Sequence, residues 1–175
     1  MTVTENELST MIRENLSDFH PDSARYLLEH IVSIGRKPMN QSTSAIWAFG
    51  SRVFLNSHIF PVGIDLKDPR LLSTIAHEIR HLQQGPIVAF SVYGELDAWQ
   101  LGFQLYYSKV NQAVPTVLSD LLALPLVLDR SVLKTARKLM LTYAGRKYRI
   151  DLYPLFPITK EIGYLLGFDK SKVLK

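Results

Sequence analysis

His77-Glu78-Ile79-Arg80-His81 holds the residue types of this chain best spaced to do chemistry. On an α-helix, side chains four apart lie one above the other. His77 and His81 can therefore offer two imidazoles to one zinc ion at about 2.0–2.1 Å. Glu78 is turned about 100° from His77, at 3.6 residues per turn. Its carboxylate can then reach a metal-activated water without ligating the metal, the arrangement of general-base hydrolysis. Such a site needs a third protein ligand and keeps a fourth position open.

The surrounding residues predict the helix that this spacing requires. Asp68-Pro69 supplies an N-cap and an N1 proline, and Gly85-Pro86 closes the far end. Leu72, Ile75, Ile79 and Leu82 form an apolar stripe opposite the histidines. An amphipathic helix with two solvated histidines would share that pattern, so the third ligand decides. A second helix, from about Val92 to Val110, carries Glu95, Ala98, Trp99, Gly102 and Tyr106 on one face. Asp97, Gln100 and Gln104 form its polar face. Glu95 thus sits among residues suited to burial, and a buried carboxylate needs a partner. Zinc, Arg80 or a set of backbone donors would each serve. Asp97, on the wet face, is the weaker ligand candidate.

The two segments Ala76–His81 (AHEIRH) and Tyr93–Trp99 (YGELDAW) resemble the gluzincin metallopeptidases. In size and layout the chain is similar to the minigluzincins, with extra C-terminal helices, and the likeness spans roughly Ala45 to Gly102. The resemblance implies His77, His81 and Glu95 as ligands of one zinc per chain and Glu78 as general base. Ala98 matches the small position three residues after the ligating glutamate. Trp99 stands where such enzymes carry an aspartate that supports a ligating histidine. Asp97 or a backbone carbonyl would have to take that role. The implied activity is zinc-dependent hydrolysis of peptide bonds in a peptide or protein substrate. An electrophile for the developing oxyanion is expected from Tyr106, Tyr93 or His58. An extended substrate is expected to pair with an edge strand at Val53, Phe54 and Leu55. A site of two histidines and a carboxylate would also suit cobalt, manganese or iron.

Two readings compete with an active peptidase. One is an inactive, binding or regulatory protein of the same fold. The other is a latent enzyme whose N-terminal lead or C-terminal segment covers the cleft. Charge gives the binding reading a location. From Arg130 onward eleven lysines and arginines face three acids, whereas the first 129 residues carry nine basic and thirteen acidic residues. The basic segment 130–175 could meet an acidic partner or, less readily, nucleic acid; an ordinary solvated face is the plainer expectation.

The rest of the chain supplies elements to position the site. Met1 to Leu16 reads as a weak helix or a disordered lead. His20-Pro21-Asp22 starts a helix with Ala24, Leu27, Ile31 and Ile34 on one face and Gly35 as its stop. His20 and His30 read as helix-associated rather than ligating. Ala45–Phe49 and Arg52–Asn56 read as strands joined at Gly50-Ser51. Helices are predicted over Pro115–Leu128, Ser131–Tyr143 and Ile158–Leu166, with a short strand over Tyr148–Tyr153. The chain has no cysteine, which excludes disulfides and thiolate metal sites. Its first ten residues are polar and acidic, unlike a secretory signal, so a cytoplasmic location is expected. The apolar run Ala113–Leu128 is too short for a membrane span and is interrupted by Asp120 and two prolines, which favours a buried helix. The expected fold is α+β and mostly helical, a single domain over 1–175. Its core would be residues 45–110, with a small hairpin or three-stranded sheet against the histidine helix, followed by a helical region, 115–175.

Overall fold

Thr4 opens the first helix with a reciprocal capping box to Glu7. The computed structural model describes residues 4–166. Helix α1 (Glu5–Phe19) buries Leu8, Ile12 and Leu16 at four-residue spacing, and α2 (Pro21–Glu29) follows directly. His20 joins them: its ring accepts from the Ser23 N–H at the start of α2. His30, at the other end of α2, stacks on Tyr26.

The helix read through Ile34 stops at Glu29. Ile31 takes a left-handed conformation (φ 49°), and Ser33–Lys37 forms strand β1. Ile34 is fully buried in that strand, and its N–H donates to the Ser9 hydroxyl of α1. Strands β2 (Ala45–Ala48) and β3 (Arg52–Asn56) form the expected antiparallel hairpin around Gly50-Ser51, where both residues have positive φ. Strand β1 joins β3 in parallel, with Ile34 opposite Val53, so the sheet order is β1-β3-β2. Val53, Phe54 and Leu55 therefore lie in the central strand, not at an edge, and Val53 and Leu55 are fully buried. The free edge on the hairpin side belongs to β2.

Helix α3 (Pro69–Ala89) starts as expected, with the Asp68 side chain accepting from the Arg70 N–H. Its regular part ends at Gly85, whose φ of 69° and ψ of 167° break the axis before one further turn. Leu71, Leu72, Ile75 and Ile79 pack α3 against α1, α2 and the sheet in a first core. Helix α4 (Val92–Lys109) lies along α3. Its Leu96 and Trp99 enter a second core with Leu118 and Leu121 of α5 (Thr116–Leu122) and Leu133, Ala136 and Met140 of α6 (Arg130–Ala144). The seam between α3 and α4 is where the two cores meet.

The C-terminal region departs from expectation in two places. Helix α5 ends at Leu122, ahead of Pro125, and Leu126, Val127 and Leu128 are 37–44% exposed rather than buried in a helix. Residues 148–153 form no strand; they fall in two 3-10 turns, Arg146–Tyr148 and Ile150–Leu152, separated by Arg149 at φ 59°. A last helix, α7, covers Ile158–Leu165. The architecture is α+β, mostly helical with one small sheet. No helix among the described residues is long and apolar enough to cross a membrane.

Candidate metal centre

Close approach of α3 and α4 places the three expected ligands together. Gly102 makes that approach possible: a Cβ there would stand 3.2 Å from Cβ of His77 and 3.4 Å from the Ser73 carbonyl. Gly94 is tighter still, with a Cβ falling 2.2 Å from the Val88 carbonyl oxygen. Ser91 caps α4 by accepting from the Gly94 N–H, and its hydroxyl donates to Val88. The result is a triad of His77, His81 and Glu95 whose ligating atoms all lie within 4.8 Å of one another.

Side-chain hydrogen bonds fix the tautomer of neutral His81. The Gln84 amide nitrogen donates to the Gly94 carbonyl at 2.9 Å and to Asp97 at 2.8 Å. Its oxygen must therefore be the acceptor that meets His81 Nδ1 at 3.1 Å. That places the proton of neutral His81 on Nδ1 and leaves a lone pair on Nε2. His77 Nδ1 is the ring nitrogen on the α4 side, near Gly102, and the Ala98 carbonyl of that helix favours a proton on the ring. The two Nε2 atoms face each other at 3.2 Å, within reach of one shared proton or one shared ion. Ligands on a tetrahedral zinc at 2.0–2.1 Å stand about 3.3–3.4 Å apart. The pair has close to the spacing of metal ligands. Glu95 Oε2 lies 3.7 Å from His81 Nε2, so a cation there would meet one carboxylate and two imidazoles.

Burial sets the charges of the site. Burial and the neighbouring His81 ring push the His77 pKa down to about 3, so this ring is neutral and able to ligate. Glu78 is buried beside Glu95, which pushes its carboxyl up to about 8, although the Trp47 N–H of β2 donates to it. Burial also raises Glu95, offset by His81 and by hydrogen bonds with Tyr148 and Trp99. Two buried carboxyls beside two imidazoles at one point form a donor set suited to a cation.

Arg80 does not serve Glu95. It pairs with Asp97 through Nε at 2.7 Å, and the same carboxylate anchors Gln84. Asp97 thus supports His81 at one remove, through Gln84. The partner of Glu95 is Tyr148, which the motif gave no reason to notice. The Trp99 indole N–H donates to the Tyr148 oxygen at 2.6 Å, and the Tyr148 hydroxyl in turn donates to Glu95 Oε2. Its segment is held against the start of α4 by two backbone bonds, Val92 N–H to Pro154 and Tyr93 N–H to Leu155.

A cleft of about 490 Å³ opens onto His77 and Glu78. Tyr106 and Tyr148 line it. Tyr93 and His58 do not: Tyr93 packs in the second core, and His58 is an exposed loop residue after β3. Asn56, also missed from sequence, shapes the rim. It is fully buried, and its amide donates to the carbonyls of Asn40 at 2.9 Å and Thr43 at 2.7 Å, fixing the loop that leads into β2. None of α1 lines the cleft, whereas Tyr143 and Tyr148 from the basic C-terminal region form part of its wall. The chain matches no protein-family model, no curated protein and no solved structure.

Proposed function

We propose that this chain is a zinc-dependent peptidase of the gluzincin kind, with His77, His81 and Glu95 holding one zinc. The observation that carries this reading is the facing pair of Nε2 atoms beside a buried carboxyl, three possible ligand atoms within 4.8 Å of one another. Zinc held there would supply a Lewis acid for a peptide carbonyl and lower the pKa of water toward neutrality.

The chain's own groups provide the rest. Glu78, held by the Trp47 N–H at the cleft floor, would be ionised by a cation bound beside it and could then take the proton that the attacking water loses and return it to the departing amine. Burial, and then Glu95, raises the Tyr148 hydroxyl well above its ordinary value, so it stays protonated and donates to Glu95. It lines the cleft and gives its one proton to Glu95, so it holds the third ligand in place. Strand β2, in place of β3, supplies the edge for an extended peptide. The Asn56 N–H bonds to Ser44 O, so alternation turns Ile46 and Ala48 toward β3 and leaves the backbone groups of Ala45 and the Trp47 carbonyl for a peptide, the Trp47 N–H being taken by Glu78.

Glu78→Gln separates binding from catalysis. The variant should keep its zinc while peptide hydrolysis falls on the order of 10²–10⁴-fold, the usual contribution of a general base. Hydrolysis at the wild-type rate would remove Glu78 from the mechanism. A zinc-loaded wild type that cleaves no member of a random peptide library would contradict the peptidase reading itself.

A further inference from the structure

The cleft continues past His77 toward the first turn of α3, where its lining changes character. Arg70, Tyr106, Tyr107 and Tyr143 gather at that end. Tyr106 and Tyr107 lie ring to ring, with centroids 5.0 Å apart. Burial raises the Tyr143 hydroxyl, Tyr107 adds to the rise and shares a hydrogen bond with it, Tyr106 adds further, and the Arg70 guanidinium pulls the other way, so Tyr143 feels all three. Arg70 is exposed, lies over the Phe60 ring at 5.9 Å and forms no ion pair among the described residues. Glu78 is the one acid among the described residues lining the cleft, and it lies at the opposite end. A guanidinium without a counter-charge, beside Tyr106 and a hydrogen-bonded Tyr107–Tyr143 pair, favours an anionic oxygen ligand.

Helix geometry gives the distance. Residues 70 and 77 are two turns apart, about 10.5 Å along the axis on nearly the same face. An extended peptide covers that distance in about three residues. Charge gives the direction. A peptide running antiparallel to β2 would bring its C-terminal side to the Ser42–Ala45 end, which shares the cleft with Arg70. The opposite direction would bring an N-terminal ammonium against a guanidinium.

We propose that Arg70, with the hydroxyls of Tyr106, Tyr107 and Tyr143, forms a carboxylate subsite that holds the C-terminus of a short peptide about three residues beyond the bond to be cleaved. This deepens the peptidase reading and rests on it. It makes the protein a trimming enzyme for peptide ends rather than a cutter of folded chains.

The test uses zinc-loaded Glu78→Gln protein and three fluorescein-labelled alanine-rich hexapeptides, with binding read by anisotropy. One peptide ends in a free carboxylate, one in an amide, and one in an amide with glutamate at the fifth position. The free acid should bind about tenfold more tightly than the plain amide, the scale of one charge-assisted contact. Adding Arg70→Gln should erase that difference. Equal binding of acid and amide, or a preference that survives Arg70→Gln, would overturn the subsite. If the glutamate-bearing amide alone gains affinity, the C-terminal assignment is overturned and the group reads acidic side chains instead. Hydrolysis by the wild type distinguishes the two levels. Cleavage without acid–amide discrimination removes the subsite and leaves the peptidase; discrimination in binding with no cleavage removes the peptidase.

Discussion

The Tyr148 hydroxyl donates to Oε2 of Glu95 across 53 residues of sequence, and the Trp99 indole N–H donates to that same hydroxyl. The third ligand of the proposed zinc site is thus oriented by a residue outside the motif-bearing helices. Tyr148→Phe keeps the ring and removes the link. Zinc affinity should fall about 10–100-fold, the usual effect of losing a group that orients a ligand. Competition with a chromophoric chelator measures it. The stranded Trp99 N–H should also cost about 1–3 kcal/mol of stability, read by denaturant melting. Unchanged zinc affinity would show that Tyr148 does not orient Glu95.

The buried carboxyls make the metal-free protein sensitive to pH. Glu78 titrates near 8 in the folded chain, above its ordinary 4.5. Between those values the folded state holds a proton that the unfolded state has released, so stability falls as pH rises. Glu95 is raised as well and acts in the same direction. His77 opposes this below 6.5, because its folded pKa is depressed to about 3 and the unfolded chain binds the proton instead. From pH 6.5 to 8 His77 no longer opposes. Through Glu78, metal-free protein should lose up to about 1.4 kcal/mol per pH unit over that window. Glu78→Gln should remove its share of the slope in chelator-treated samples. A slope identical to wild type would mean that Glu78 is not held neutral.

Gly102 lets α4 approach the His77 backbone. A methyl group there meets His77 Cβ at 3.2 Å and the Ser73 carbonyl at 3.4 Å, so the helices must part by a few tenths of an ångström. Gly102→Ala should destabilise the fold by about 1–3 kcal/mol, as overpacking does. It should also weaken zinc binding, since His77 and Glu95 sit on the two helices being separated. Thermal melting with and without zinc checks both effects. A variant with wild-type zinc affinity would show that the α3–α4 spacing does not set the site.

The site was legible in sequence where local signals carried it. Asp68-Pro69 marks the start of α3, the four-residue histidine spacing needs only a helix, and Glu95 stands out as a carboxylate on an apolar face. What was missed depends on contacts far apart in the chain. Ala24, Leu27, Ile31 and Ile34 keep helical spacing, but Ile34 leaves the helix to pair with Val53 nineteen residues on. That one misreading hid β1, and without β1 the strand Arg52–Asn56 looked like an edge. Tyr148 lies in a pair of 3-10 turns with no periodicity to announce them, and only the docking of residues 154 and 155 on α4 brings it to Glu95. Gln84 was equally silent, because its role depends on Asp97 one helix away.

Metal content per chain, by plasma emission on tag-free protein purified without chelator, tests the proposed zinc site most directly when Glu95→Ala is measured alongside. The expected result is about one zinc in the wild type and little in the variant, in keeping with a site of three protein ligands. A wild type that holds no zinc and takes none up when it is added would contradict the site. So would a Glu95→Ala protein that binds as much as the wild type.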